Sequence, residues 1–321
     1  MNLSITNECN RRCRFCFQKG WYLRNSGITE LSEDNFERFL SWLVPENFKL
    51  MGGEPLLHSK LPRFLDLARE YKKRVSFISN CTLDTDILTE NKDIVDGVLV
   101  NTHYHKNERD IFLKNIENIV KNNLRFTLSY TLIPDGLKNG SIDKGLKRFR
   151  EIFSIIPNNF NIVIRLSLMS PDYSNVFRLY DYSYDLVTLI TKLYELRRNI
   201  NFHFDCALNA CELNPEVFRV LRKIGARFRT GLCDHCSPKD ILVDLSMIWC
   251  SASKVVKIDN IFDYQDSEKA TDELKKKWDE YWLNTKIMCH HETCGKYNPG
   301  ICTGFCIGRN EGLLRVENGN R

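Results

Sequence analysis

Cys9, Cys13 and Cys16 are spaced C-x3-C-x2-C. Three thiolates this close can occupy three irons of a cubane [4Fe–4S] cluster, because the loop is short enough to wrap one set of corners. No fourth cysteine lies nearby; the next along the chain is Cys81. One iron would then lack a protein thiolate and could take an exogenous ligand. A catalytic cluster needs such a position, and a purely electron-carrying cluster avoids it. A zinc knuckle completed by a distant fourth ligand is the alternative use of the same three residues.

A second stretch, Met51-Gly52-Gly53-Glu54-Pro55, ends a strand-like run. By itself it reads as a strand-ending turn. Glycine also lets backbone polar groups approach a ligand closely. Glu54 could add a charge-assisted contact or only cap the turn.

The cysteines cluster at both ends of the chain. Of 13, three lie within Cys9–Cys16, Cys81 stands alone, and nine fall between Cys206 and Cys306. Cys233-Asp-His-Cys236 is a C-x2-C pair, a common metal knuckle. Cys250 closes the hairpin that follows, and Cys302-Thr-Gly-Phe-Cys306 is a compact C-x3-C pair. Cys289 and Cys294 lie between them, and Cys206 and Cys211 precede them. Four such thiolates suit a zinc ribbon as well as an iron–sulfur cluster, and sequence does not separate the two. His235, His290 and His291 are candidate further ligands, with surface positions as the alternative reading. Cys81 is read as a structural thiol.

The first two-thirds of the chain must position these groups, and it alternates strand-like with helix-like segments. Leu3–Thr6 leads into the cysteine loop. Ser32 is an N-cap, with Glu33 and Asp34 in the favourable first turn. Phe36, Phe39, Leu40 and Leu43 then form a helical stripe. Phe48–Met51, Val75–Ser79, Val98–Asn101, Phe126–Ile133 and Asn161–Leu168 read as further strands. Leu61–Lys72, Asp110–Lys121 and Leu186–Leu196 read as helices, with Ile111, Ile116, Ile119 and Val120 inward in the second. Six strand–helix units in a row imply an α/β fold: a parallel sheet with outer helices, and a partial (β/α)6 TIM-type barrel. In such sheets chemistry sits at the carboxyl ends of the strands. The cysteine loop follows the first strand and the glycine pair follows the second, so both land on that face. After about Asn199 the alternation fades. Ile241–Trp249 reads as a hairpin around Asp244–Ser246. Ser267–Asn284 reads as a charged helix with Leu274, Trp278 and Trp282 as apolar contacts. The expected division is therefore 1–199 and a small cysteine-rich extension at 200–321.

Composition narrows the class. The chain has 321 residues, 43% hydrophobic and 27% charged, ordinary values for a folded protein. A net charge of +5 with interspersed signs is too mild to argue for nucleic acid. No apolar run approaches the ~18 residues of a membrane span, and no secretory signal opens the chain. The expected location is the cytoplasm, where thiols stay reduced and 13 cysteines suit metal better than disulfides.

C-x3-C-x-Φ-C, with Φ aromatic, resembles the signature loop of the radical S-adenosylmethionine (SAM) superfamily, and Phe15 fills the aromatic slot. Gly52-Gly53-Glu54-Pro55 resembles that family's GGEP motif. The resemblance covers roughly residues 1–200, the length of the family's partial barrel. It implies that SAM chelates the open iron through its amino and carboxylate groups. It also implies that backbone around Gly52 and Gly53 holds the methionine amino group and that Phe15 lies near the adenine. Other family contacts come from later strand ends, where Ser79, Asn80, Asn101, Ser129 and Arg165 sit. Arg165 lies in an apolar strand and needs a partner; a SAM carboxylate or a structural salt bridge would serve. Where the family often has Asn-Gly after strand three, this chain has Asn80-Cys81. The C-terminal cysteines resemble the SPASM or twitch extension, which carries auxiliary [4Fe–4S] clusters. That implies one or two such clusters held among Cys233, Cys236, Cys250, Cys289, Cys294, Cys302 and Cys306. The terminal spacing here is C-x4-C-x7-C-x3-C where the family has C-x2-C-x5-C-x3-C, and no cysteine follows Cys306. The final ligand is missing or comes from elsewhere, with Cys206 and Cys211 as candidates.

The chemistry so implied is reductive cleavage of SAM to methionine and a 5′-deoxyadenosyl radical, which removes hydrogen from a substrate. The electron would come from a donor such as flavodoxin or ferredoxin. SPASM-type enzymes commonly oxidise or crosslink peptides, so a peptide or protein substrate is expected. No N-terminal peptide-recognition domain precedes the first strand, so leader binding would need a separate protein. The other readings are a small-molecule radical SAM dehydrogenase or epimerase, and a non-enzymatic zinc or iron–sulfur protein that binds nucleic acid.

Overall fold

Both faces of the first strand are buried: Leu3, Ser4, Ile5 and Thr6 are all fully enclosed. The protein is described as a computed structural model over residues 1–13, 15–16, 27–133, 141–167, 182–204, 215–226, 239–250 and 256–284. Elements run β1 (Asn2–Thr6), α1 (Glu33–Trp42), β2 (Asn47–Gly52), α2 (Leu61–Glu70), β3 (Arg74–Ser79), α3 (Asp86–Glu90), β4 (Val95–Asn101) and α4 (Arg109–Lys121). They continue with β5 (Phe126–Thr131), α5 (Ser141–Ile155), β6 (Ile162–Ser167), α6 (Ser183–Leu196), β7 (Ile200–Phe204) and α7 (Pro215–Lys223). Then come β8 (Asp240–Ile241), β9 (Met247–Ile248), β10 (Lys257–Ile258) and α8 (Ser267–Asn284). The α/β class with parallel, helix-linked strands is as expected.

The chain divides into two compact units, residues 1–126 with 237–285 and residues 127–236 with 286–321. In the first, β1 pairs with β2, β2 with β3 and β3 with β4, all parallel. Helices return the chain between them because parallel neighbours need a crossover. Ser32 accepts from the Asn35 N–H at 3.3 Å and caps α1, as its residue type predicts. Phe36, Phe39 and Leu40 face inward with almost no exposure. Phe36 stacks on Phe64 of α2 with centroids 4.0 Å apart, and Phe39 meets Phe48 of β2 edge-on at 5.3 Å. Burying each ring contributes roughly 1.5–3 kcal/mol, so this cluster fixes both helices on the sheet.

Three features depart from the expectation. Ile111 is 42% exposed, whereas Phe112 and Asn115 are buried. Of the four residues expected inward in α4, Ile116, Ile119 and Val120 are buried and Ile111 is not; the buried face also takes in Asn115, which donates to the Cys81 and Leu83 carbonyls at 2.9 and 2.6 Å. A seventh parallel strand, β7, follows α6 and pairs with β6, so strand–helix alternation continues past residue 199. The third is the hairpin of β8 and β9. It docks on the free side of β1, with β8 parallel to it. Asn2 N–H donates to the Lys239 carbonyl at 2.9 Å, and Asn2 Nδ2 donates to Asp240 Oδ1 at 2.7 Å. The hairpin turns where expected: Ser246 N–H donates to Asp244 Oδ1 at 3.0 Å and Leu245 adopts φ +66. β10 adds an antiparallel strand to β9. Helix α8 buries Leu274 and Trp278 as expected, and Trp278 stacks on Trp249 at 5.1 Å. The side chain of Trp282 is outside the described residues.

In the second unit β5, β6 and β7 are parallel, with Ser129 in register with Arg165 and Arg165 with His203. These three are half-buried on one face while Leu128, Ile164 and Phe202 are buried on the other. Among the described residues no helix is long and apolar enough to cross a membrane.

Candidate functional site

The register between β1 and β2 slips between Ser4 and Thr6, so Thr6 faces Gly52. Beyond that slip the two strand ends lock together. The Gly53 N–H donates to the Thr6 carbonyl at 2.7 Å, and the Glu54 N–H to the Glu8 carbonyl at 2.7 Å. Gly52 has φ +151, and a Cβ there would lie 2.3 Å from the Thr6 oxygen. A Cβ at Gly53 would lie 2.0 Å from the Glu8 oxygen. The glycine pair is thus required by the chain segment that opens the cysteine loop, independently of any ligand. The Gly53 N–H is engaged within the protein, and backbone carbonyls are the groups that can accept from an ammonium.

Glu54 caps the short turn at Pro55–Leu57 through the Leu56 N–H at 3.4 Å. The same carboxyl accepts from Ser79 O–H and Asn80 N–H, both at 2.8 Å, and so ties the end of β2 to the end of β3. Pro55 is buried beside it. Burial pushes the Glu54 carboxyl up to about 7, against the opposing pull of its Asn80 and Ser79 donors.

The cysteine loop rests on the ends of β3 and β4. Asn10 Nδ2 donates to Thr82 Oγ1 at 2.9 Å, and Asn80 Nδ2 donates to Asn10 Oδ1 at 2.9 Å. Asn80 Oδ1 accepts from Thr82 N–H at 2.9 Å and Thr82 O–H at 2.5 Å. Arg11, buried, donates to the His103 carbonyl, and its Nε lies 3.4 Å from Glu108 Oε2. The Phe15 ring packs on the His103 ring with centroids 4.3 Å apart. The Cys16 N–H donates to the Cys13 carbonyl at 3.3 Å, closing a turn between those two thiols.

Cys9 reaches the surface, and Cys13 and Cys16 are half-buried. Crowding by protein pushes Cys9 up to about 11 and raises Cys13; mutual repulsion of the three thiolates acts in the same direction, and Arg11 opposes it at Cys13. Three mutually repelling thiolates need a cation to become charged together. Among the described residues no three His, Cys, Asp or Glu side chains converge to hold one metal ion.

Of the other residues expected to contact SAM, Ser79 donates to Glu54 and accepts from the Cys81 N–H at 3.0 Å. Asn101 Oδ1 accepts from the His103 N–H at 3.0 Å. The polar groups of Ser79, Asn80 and Asn101 thus serve the strand ends themselves. Ser129 and Arg165 belong to the second unit, in register with each other. Cys81 is fully buried with its thiol pushed up by that burial, and it adopts φ +51 where the resembled family often has glycine. Of the C-terminal cysteines Cys250 is described, half-buried after β9. Cys206, Cys211, Cys233, Cys236, Cys289, Cys294, Cys302 and Cys306 lie outside the described residues. Sequence reasoning missed Asn10, Arg11, Thr82, His103 and Glu108. Asn10 and Arg11 carried a signal, since polar residues between ligands often hold the loop; the others come close only through the fold.

Residues 3–136 match the Radical SAM superfamily. The curated relatives include a tungsten-containing aldehyde ferredoxin oxidoreductase cofactor-modifying protein of Pyrococcus furiosus, 36% identical over 96 residues that make 26% of this chain and 24% of that protein. An S-adenosylmethionine-dependent nucleotide dehydratase of Lacinutrix mariniflava is 28% identical over 117 residues, 35% of this chain and 25% of that one. The chain spans about a quarter of the length of these relatives. Among solved structures, Streptococcus suis SuiB bound to its precursor peptide SuiA aligns over 96% of this chain and 72% of its own, at TM-score 0.60 and 14% identity. SuiB bound to S-adenosylmethionine aligns at TM-score 0.58 and 14% identity over 96% of this chain and 73% of its own. At that identity the likeness to SuiB is one of fold, and the match to the Radical SAM superfamily covers residues 3–136, less than half of the chain.

Proposed function

We propose that the protein uses Cys9, Cys13 and Cys16 to hold a [4Fe–4S] cluster and acts on a peptide or protein. The observation that carries the reading is the lock between the cysteine loop and the glycine pair, Gly53 N–H to Thr6 and Glu54 N–H to Glu8. It brings two otherwise separate sequence signals to one strand end. When bound, the cluster and SAM together supply one-electron cleavage to methionine and a 5′-deoxyadenosyl radical, which takes a hydrogen atom from substrate. The protein's own residues hold and orient. Gly52 and Gly53 carbonyls accept from the SAM ammonium. Glu54 fixes the β2 end against β3. Phe15, braced by His103, flanks the adenine.

Residues 1–199 form the catalytic core in this reading, and residues 200–321 form a SPASM or twitch-like extension. That extension holds one or two auxiliary clusters through Cys233, Cys236, Cys250, Cys289, Cys294, Cys302 and Cys306, with Cys206 or Cys211 as the further ligand. A flavodoxin or ferredoxin in the cytoplasm supplies the electron. The fold likeness to SuiB, solved with a precursor peptide, favours a peptidyl substrate. Small-molecule chemistry is the second reading, favoured by relatives named as a nucleotide dehydratase and as GTP 3′,8-cyclases. Anaerobic crosslinking of the reconstituted protein in native extract separates the two. A covalently captured peptide supports the first, and turnover of a nucleotide with no peptide capture supports the second.

A further inference from the structure

The cysteine loop carries a charged side chain that ligation does not use. Arg11 sits between Cys9 and Cys13, and its side chain is 3% exposed. A buried guanidinium is unfavourable unless its hydrogen bonds and charge are both answered. One answer is the His103 carbonyl, which accepts from Arg11 Nη1. The other is Glu108, 3.4 Å from Nε. Glu108 is itself fixed, since its Oε2 accepts from the His105 N–H at 2.6 Å. His103 also carries the ring on which Phe15 packs. One clamp therefore grips the loop twice, before Cys13 through Arg11 and after it through Phe15.

We propose, resting on the cluster reading above, that Arg11 is a positioning residue whose clamp on His103 and Glu108 sets the cysteine loop before a cluster binds and leaves a fixed positive charge beside Cys13. The charge favours the extra electron of a reduced cluster, and Glu108 partly offsets it. Removing either member of the pair therefore moves the cluster's potential in opposite directions, while a purely mechanical role moves it in neither.

The test uses the full chain, anaerobically reconstituted with iron and sulfide. A dithionite redox titration follows the electron paramagnetic resonance signal that changes on addition of SAM, which singles out the cluster with an open iron. Arg11→Met should lower the reduced-to-oxidised ratio at fixed potential roughly tenfold, about 59 mV for a one-electron couple. Glu108→Gln keeps an oxygen for the His105 N–H and should shift the ratio upward. Arg11→Lys keeps the charge and loses the fork, so it should hold the potential and lose iron occupancy. Unchanged potentials in Arg11→Met and Glu108→Gln, with a SAM-sensitive cluster in all, would overturn the proposal and leave the cluster reading intact. A wild-type chain with no acid-labile sulfide and no SAM-sensitive signal would overturn both.

Discussion

Asn80 Nδ2 donates to Asn10 Oδ1 at 2.9 Å, joining the end of β3 to the interior of the Cys9–Cys13 segment. The carboxamides lie 70 residues apart in sequence, so the cysteine loop is held by tertiary structure and not only by its own turns. Asn10→Ala removes this bond and the one to Thr82. Asn10 is exposed, so water replaces part of what is lost, and the stability cost should be about 1 kcal/mol. Iron bound per chain after limiting reconstitution should fall by more than that small cost suggests. Iron loading equal to wild type would mean the tie has no bearing on ligation.

The glycine pair predicts a contrast between two glycines. Gly53→Ala places a Cβ 2.0 Å from the Glu8 oxygen, a backbone atom that cannot give way cheaply. It should destabilise by several kcal/mol, in the range of severe overpacking. Gly225 has φ +68 with nothing within 4 Å of a Cβ, so Gly225→Ala should cost only the roughly 1–2 kcal/mol of left-handed backbone. Urea melts of the two variants check the order; equal midpoints would contradict it.

Cys81 holds a left-handed φ of +51 while fully buried. Cys81→Ala loses the buried sulfur and keeps the strained backbone. Cys81→Gly opens a larger cavity and relieves a strain of roughly 1–2 kcal/mol. Glycine should therefore be at least as stable as alanine here, the reverse of the usual ranking inside regular structure. Thermal melting of both decides it, and a clearly lower midpoint for Cys81→Gly would contradict the strain.

Burial raises the Glu54 carboxyl from 4.5 to about 7. The folded state then keeps its proton to a higher pH than the unfolded chain. The stabilisation is complete below about pH 4.5 and is lost as pH rises through about 7. At 1.36 kcal/mol per unit the loss is roughly 2–4 kcal/mol. Glu54→Gln does not titrate and should flatten unfolding free energy between pH 5 and 8. A slope matching wild type would show that Glu54 is ionised throughout.

What the sequence disclosed was local. The Ser32 cap and the Phe36–Phe39–Leu40 stripe depend on neighbours a few residues away, and the structure has them as expected. What it hid depends on distance or on one polar exception. The docking of the hairpin on β1 rests on Asn2 and Asp240, 238 residues apart. Asn115 is buried on the inner face of α4 beside the expected Ile116, Ile119 and Val120, and no apolar periodicity could signal its inward turn. Asn80 and Ser79 were legible as strand-end residues. Their engagement with Glu54 and Asn10 joins residues 25 and 70 apart, which no single-strand pattern encodes.

The most direct measurement is release of 5′-deoxyadenosine from SAM under strict anaerobiosis with dithionite, by reconstituted wild type and by the Cys9/Cys13/Cys16→Ala triple variant. Wild type should release it and the triple variant should not. A wild-type chain that carries zinc without acid-labile sulfide, and releases none, would contradict radical SAM chemistry at these three cysteines.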